Sequence, residues 1–229
     1  MPDYRLYCLP ESGNSYKVAL MLALCGADWE PVFVAFLEGA TREPSWRAEI
    51  SEMGEVPVLE QAGRRYSQSG VILTRLAERF GRFGGRDEEE RYEVLRWLLF
   101  DNHKFTSYFA THRFMRCLTP TPPDPAVMEF LRSRIAASFG IVEKRLAETP
   151  YIVGPEPTIA DISMMGYLFF SSQETGYDLE ADYPNIAAWR ERIRARRLER
   201  TLRIDAGAAR PAVFLGLSAV RACRYSTSM

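Results

Sequence analysis

The chain has 229 residues, 47% hydrophobic and 26% charged, enough to bury a sizeable core and ordinary for a globular protein. A formal net charge of −1, from 29 Lys and Arg against 30 Asp and Glu, leaves no basic excess. A nucleic-acid or membrane-surface partner is therefore not expected.

The run Tyr4 to Leu9 reads as a strand, because it mixes aromatic and aliphatic residues at strand length before Pro10 and Gly13 punctuate it. Tyr16 to Leu24 then reads as a helix. Between them, Ser12, Asn14 and Ser15 all lie where a side chain can cap that helix, and a helix N-terminus offers unpaired N–H donors and partial positive charge. This turn is the expected chemical centre. Trp29 to Phe36 looks like a second strand, Glu43 to Ser51 like a short helix opened by Pro44, and Gly54 to Glu60 and Arg64 to Ser67 like two strands joined at Ala62-Gly63. A third helix is expected from Ser69, with Val71, Ile72, Leu76 and Phe80 on its apolar face. Strands separated by helices and ending in a hairpin fit a small mixed sheet flanked by helices.

Gly81, Gly84 and Gly85 then mark a connector. Beyond it the pattern is entirely helical: Glu88 to about Met115, Ala126 to Leu146, Ile159 to Ser172 and Ile186 to Arg200. The expected division is residues 1–80, residues 87–204, and a tail 205–229 without an assigned role. Thr158-Ile159-Ala160-Asp161 has capping-box spacing, with Asp in place of Glu or Gln. Cys8, Cys25, Cys117 and Cys223 form no CxxC pair, and with His103 and His112 they show no metal-ligand spacing, so no metal is expected. Cys8 reads as a buried small apolar group within its strand. The cluster Arg190, Arg192, Arg194, Arg196 and Arg197 reads as a solvated helix face. No stretch approaches membrane-spanning length and the first 25 residues lack a signal-peptide pattern, so a cytoplasmic location is expected.

A Ser-bearing first turn, Val56-Pro57, Gln68-Ser69 and the Thr158 to Asp161 cap, in that order, resemble the glutathione transferase superfamily over roughly residues 4 to 200. The resemblance implies a thioredoxin-like N-terminal domain followed by a helical-bundle domain, in a cytosolic homodimer of bacterial type. It implies glutathione as co-substrate, with the backbone of Val56, before a cis Pro57, pairing with the cysteinyl part. Gln68 and Ser69 would hold the γ-glutamyl end. Ser12 resembles the sulfur-contacting serine of the theta and zeta classes.

A thiol with pKa about 8.5 must be lowered by about two units to ionise at neutral pH, which takes roughly 2.7 kcal/mol. One hydrogen bond to a charged acceptor supplies about 1.5 to 3 kcal/mol, and a helix N-terminus about 0.3 to 1. A hydroxyl cannot form a disulfide, so the reacting sulfur at this turn must come from a ligand. A hydrophobic electrophile would then lie against Phe105, Tyr108, His112 and Met115, in keeping with a detoxification role. Ser12-Gly13-Asn14 can also be laid over the Thr-x-Asn turn of the nu-class disulfide reductases, with Asn14 near the sulfur. Disulfide reduction with two glutathiones, and a transferase-like fold kept as a non-catalytic binding module, remain the alternatives.

Overall fold

A computed structural model describes residues 2–204, with side chains in the last helix as far as Arg196; the tail 205–229 lies outside the described residues. Strands β1 (Tyr4–Cys8), β2 (Trp29–Phe33), β3 (Val58–Gln61) and β4 (Arg64–Tyr66) form one sheet in the order β2-β1-β3-β4. β1 runs parallel to β2 and antiparallel to β3, and β3 antiparallel to β4. Successive β1 side chains face opposite ways, as the two-residue period of a strand requires. Tyr4, Leu6 and Cys8 join the main core, whereas Tyr7 meets Val34 and Val58 on the other face. Helices α1 (Gly13–Cys25) and α3 (Ser69–Phe80) cover the first face, and α2 (Pro44–Glu49) brings Trp46 over the second. This is the expected thioredoxin-like arrangement.

Two local expectations change. β2 stops at Phe33, because the Val34 amide donates to the Cys8 carbonyl and the chain then turns into a 3₁₀ segment at Phe36–Glu38. On α3 the buried residues are Ile72, Leu73, Leu76 and Ala77, while Val71 is 57% exposed. The buried stripe is set by packing on α1 and the core, which rotates it one residue from the apolar pattern.

From Glu88 onward the described residues contain helices only. α4 (Glu88–Phe100) and α5 (Thr106–Cys117) continue through a π turn at Asp101–Phe105, so the single expected helix is interrupted by one wide turn. That turn carries Asp101, which is fully buried and accepts from Lys17 Nζ at 3.0 Å and Ser163 Oγ at 2.6 Å. The widened turn thus coincides with a buried charge gathering donors from α1 and from the segment after the cap. α6 (Pro125–Glu148) is capped by Asp124, whose carboxylate accepts from the Ala126 amide at 2.7 Å.

The expected helix from Ile159 to Ser172 is instead α7 (Ile159–Met164) and a 3₁₀ turn at Met165–Tyr167. Its capping box is present: Asp161 accepts from the Thr158 and Ile152 amides, both at 2.8 Å, and from Trp189 Nε1 at 2.9 Å. Two four-residue helices, α8 (Ser172–Thr175) and α9 (Leu179–Asp182), are too short to leave a periodic signal and are not visible in the sequence. The last helix is α10 (Pro184–Ile204).

Three of its described arginines are not simply solvated, and the side chain of Arg197 lies outside the described residues. Arg190 donates to the Leu168 carbonyl, Arg192 to the Pro150 carbonyl and Arg196 to the Tyr151 hydroxyl, stapling α10 to preceding loops. A single apolar cluster runs from Leu6 and Leu22 through Phe105 and Phe139 to Trp189, so the sheet-bearing and helical parts share one core. No helix among the described residues is long and apolar enough to cross a membrane.

Candidate functional site

Strand register brings the separate sequence motifs to one edge of the sheet. Tyr7 pairs with Val58 and Leu59 with Tyr66, so β1 ends, β3 begins and β4 ends at the same side. Ser12 follows β1, Val56 and Pro57 precede β3, and Gln68 and Ser69 follow β4. All five therefore sit along one edge, with α1 and α3 starting there. The Val56–Pro57 peptide is cis, as the resemblance implied. Gln68 takes φ 65° and Ser69 is the first residue of α3, 8% exposed. The Gln68 amide nitrogen donates to Glu55, a residue the sequence did not single out, whose carboxyl is pushed up by burial against that bond. Glu55 thus adds a carboxyl group beside Gln68.

Ser12 is the N-cap of α1, half-buried, with extended backbone, and its Oγ accepts from the Ser15 amide at 3.1 Å. Asn14 is half-buried in the first turn. Tyr167, from the other half of the chain, closes over this turn, with its ring against Gly13 and its phenol under the influence of the Gly13 and Asn14 amides and the Ser12 hydroxyl. Burial raises the Tyr167 pKa above its ordinary value against the pull of Arg113 and these groups, so the phenol is protonated at neutral pH.

The approach is close enough that a Cβ on Gly13 would lie 2.4 Å from the Tyr167 ring and 2.5 Å from the Gly166 carbonyl. A Cβ on Gly166 would lie 2.6 Å from the Gly13 carbonyl. Only two facing glycines let these backbones touch. Arg113, from α5, donates to the Glu11 carbonyl at 3.0 Å and through two nitrogens to Glu174, and its guanidinium lies 3.5 Å from the Phe170 ring centroid. The residue before Ser12 is thereby held by the helical half. Tyr167, Gly166 and Arg113 were invisible as site residues in the sequence, since only the tertiary approach of two distant segments gives them a role.

The expected electrophile wall is not brought together as a wall. Phe105 is 1% exposed and stacked on Phe139, with centroids 4.5 Å apart, and His112 is 2% exposed against Tyr177. Both are core residues, a correction whose cause is that α6 and the segment after α8 cover this side of α5. Tyr108 and Met115 are half-buried, whereas His103 is exposed.

Burial and the nearby Arg132 and Arg116 charges push His112 down to about 4. It is therefore neutral when folded yet titrates near 6.5 when unfolded, so its contribution to stability is present above pH 6.5 and lost as pH falls towards 4. His112→Leu is expected to remove roughly 2–3 kcal/mol of the stability loss between those pH values, read as the difference between wild-type and variant denaturation profiles. Parallel profiles would refute a buried neutral His112.

The thiol of Cys8 is raised to about 12 by burial, which leaves it inert, as expected for a small apolar group in β1. Among the described residues no group of three His, Cys, Asp or Glu could hold a metal ion.

Residues 2–78 match the description "Glutathione S-transferase, N-terminal domain" and residues 125–192 "Glutathione S-transferase, C-terminal domain". A solved structure of a glutathione S-transferase from Pseudomonas fluorescens Pf-5 is 35% identical, covers 83% of this chain and 94% of that one, and superposes with a TM-score of 0.74. The chain belongs to the glutathione S-transferase family. Relatives include glutathione S-transferase F14 of Arabidopsis thaliana, 29% identical over 75% of this chain and 71% of that one. The disulfide-bond oxidoreductase YfcG of Escherichia coli is 28% identical over 83% of this chain and 90% of its own.

Proposed function

We propose that this chain is a cytoplasmic glutathione transferase that joins the thiolate of glutathione to a small hydrophobic electrophile. The observation that carries this is the half-buried Ser12 hydroxyl, set on the sheet edge shared by the cis Val56–Pro57 step and the start of α3. The cysteinyl backbone pairs with Val56 beside Pro57. The γ-glutamyl carboxylate binds at Ser69 and the α3 amides, and its ammonium group at Gln68 and Glu55. Ser12 donates to the sulfur and holds it ionised. The sulfur lone pair then forms a bond to the electrophilic carbon while the leaving group departs with the displaced electron pair, without a covalent enzyme intermediate. Tyr108 and Met115 border the space where the electrophile lies.

A homodimer is part of this proposal. Tyr92, Leu95 and Leu99 form an exposed apolar row on α4, 49–62% exposed, and a second copy would cover them. Ser12→Ala is expected to lower kcat/KM about 10- to 100-fold, the worth of one hydrogen bond to a charged acceptor, with glutathione affinity little changed. Undiminished turnover in steady-state assays with an aryl halide would sink the assignment of Ser12. The similarity to YfcG supports a second reading, disulfide exchange with Asn14 near the sulfur. That reading predicts disulfide turnover lost in Asn14→Ala and kept in Ser12→Ala.

A further inference from the structure

The hairpin end of β3 and β4 carries positive charge without compensation. Gln61 pairs with Arg64 and Leu59 with Tyr66 in the strand register, so these four residues share the sheet face that α3 covers. Glu60 and Arg65 turn to the other face, where the Glu60 carboxylate accepts from Arg65, Arg5 and Tyr7. Arg75 and Arg79 stand one turn apart on α3, and with Gln61, Arg64 and Tyr66 they line a cavity of about 320 Å³. None of the described residues lining it is acidic.

The side chains of Arg64, Arg75 and Arg79 form no ion pair or hydrogen bond within the described residues. Arg75 is held in another way. Its guanidinium lies 4.2 Å from the Tyr66 ring centroid, and its Nε is screened from solvent without an acceptor, whereas its Nη groups are not so screened. Stacking thus fixes the plane of the guanidinium and leaves its outer donors to be used. Gln61 Nε2 donates to the Tyr4 hydroxyl at 3.1 Å, so the arginines supply the recognition. At roughly 30 Å³ per water the cavity has room for an oxyanion and a small body attached to it. A carboxylate brings a single negative charge to three arginines, whereas a phosphate group brings about 1.5 to 2 at neutral pH and three acceptor oxygens.

We infer that this cavity is a binding site for a phosphate group, free or carried by a small phosphomonoester, held between Arg64 of β4 and Arg75 and Arg79 of α3. It lies at the opposite end of β3 and β4 from Val56, Pro57 and Gln68, so it is separate from the candidate glutathione site and does not depend on that reading.

The test is phosphorus NMR of inorganic phosphate and of phenyl phosphate, each titrated with the protein at fixed ionic strength. Both are expected to bind once per chain, with Kd on the order of 1 mM or tighter. Tighter binding of phenyl phosphate assigns the site to an ester, and equal or weaker binding assigns it to the free ion. Arg75→Met is expected to weaken binding about tenfold or more, the worth of one charge-assisted bond. Arg75→Lys keeps the charge without the stacked fork and is expected to fall between. Arg64→Gln/Arg79→Gln, at two exposed positions, is expected to weaken binding by a similar factor and serves should Arg75→Met lose stability. Arg91→Gln, outside the cavity, is expected to bind as wild type does. No binding up to about 10 mM phosphate, binding unchanged in the cavity variants, or displacement by acetate at equal ionic strength would overturn the inference. A dimer that dissociates in Arg64→Gln/Arg79→Gln, with no phosphate bound by wild type, would also overturn it, since the arginines would then hold carboxylates of a second copy.

Discussion

Lys17→Met is expected to lower stability by about 3–5 kcal/mol, because it strands a buried carboxylate. Lys17 and Asp101 are both 0% exposed, with Nζ and Oδ2 3.0 Å apart, and Asp101 also draws the hydroxyls of Thr106 and Ser163. Those hydroxyls orient the carboxylate but cannot neutralise it. The double variant Lys17→Met/Asp101→Leu is expected to recover most of the loss, since apolar replacement of a whole buried pair is often close to neutral. Urea denaturation reads both: roughly 2 M off the midpoint for the single variant, at a slope of about 1–3 kcal/mol per M, and a return towards wild type for the double. A single-variant loss below about 1 kcal/mol would show that the pair is wet. The pair joins α1, five residues after Ser12, to the π turn of the helical half, so it fixes the helix that presents the candidate site.

Arg113→Met should be similarly costly, about 3–5 kcal/mol, for a related reason with a different reach. Arg113 is 1% exposed and Glu174 6%, and the same guanidinium holds the Glu11 carbonyl and packs over Phe170. Removing it leaves Glu174 without a counter-charge and the Glu11 carbonyl without its donor. Arg113→Lys retains the charge but not the planar fork, and cannot serve Glu174 twice and Glu11 at once, so it is expected to fall between the two. The same urea measurement ranks the three proteins. If Arg113→Lys is as stable as wild type, the fork geometry is irrelevant and charge alone holds this corner.

Much of the architecture is legible in the linear sequence because it depends on local chemistry. The strand at Tyr4 to Cys8 follows from its aromatic and aliphatic run, the turn at Ala62 and Gly63 from its residue types, and the α7 capping box from the spacing of Thr158 and Asp161. The family followed from four short motifs in order. The buried face of α3, the breaking of the Ile159 helix and the loss of Phe105 and His112 to the core were not legible. Each is set by what packs against the segment rather than by its own pattern.

At the candidate site the same division holds. By itself the sequence determined that the turn before the first helix offers Ser12, Asn14 and Ser15 as caps and that no CxxC pair stands there, because each is a matter of residue type at short spacing, whereas the cis Val56–Pro57 step and the Gln68-Ser69 role came only from the family resemblance. Only the tertiary structure decided that Tyr167 closes over that cap and that Arg113 holds the residue before it. Those partners are about 100 and 150 residues away in the chain, and no local propensity encodes the contact between Gly13 and Gly166 that brings them there.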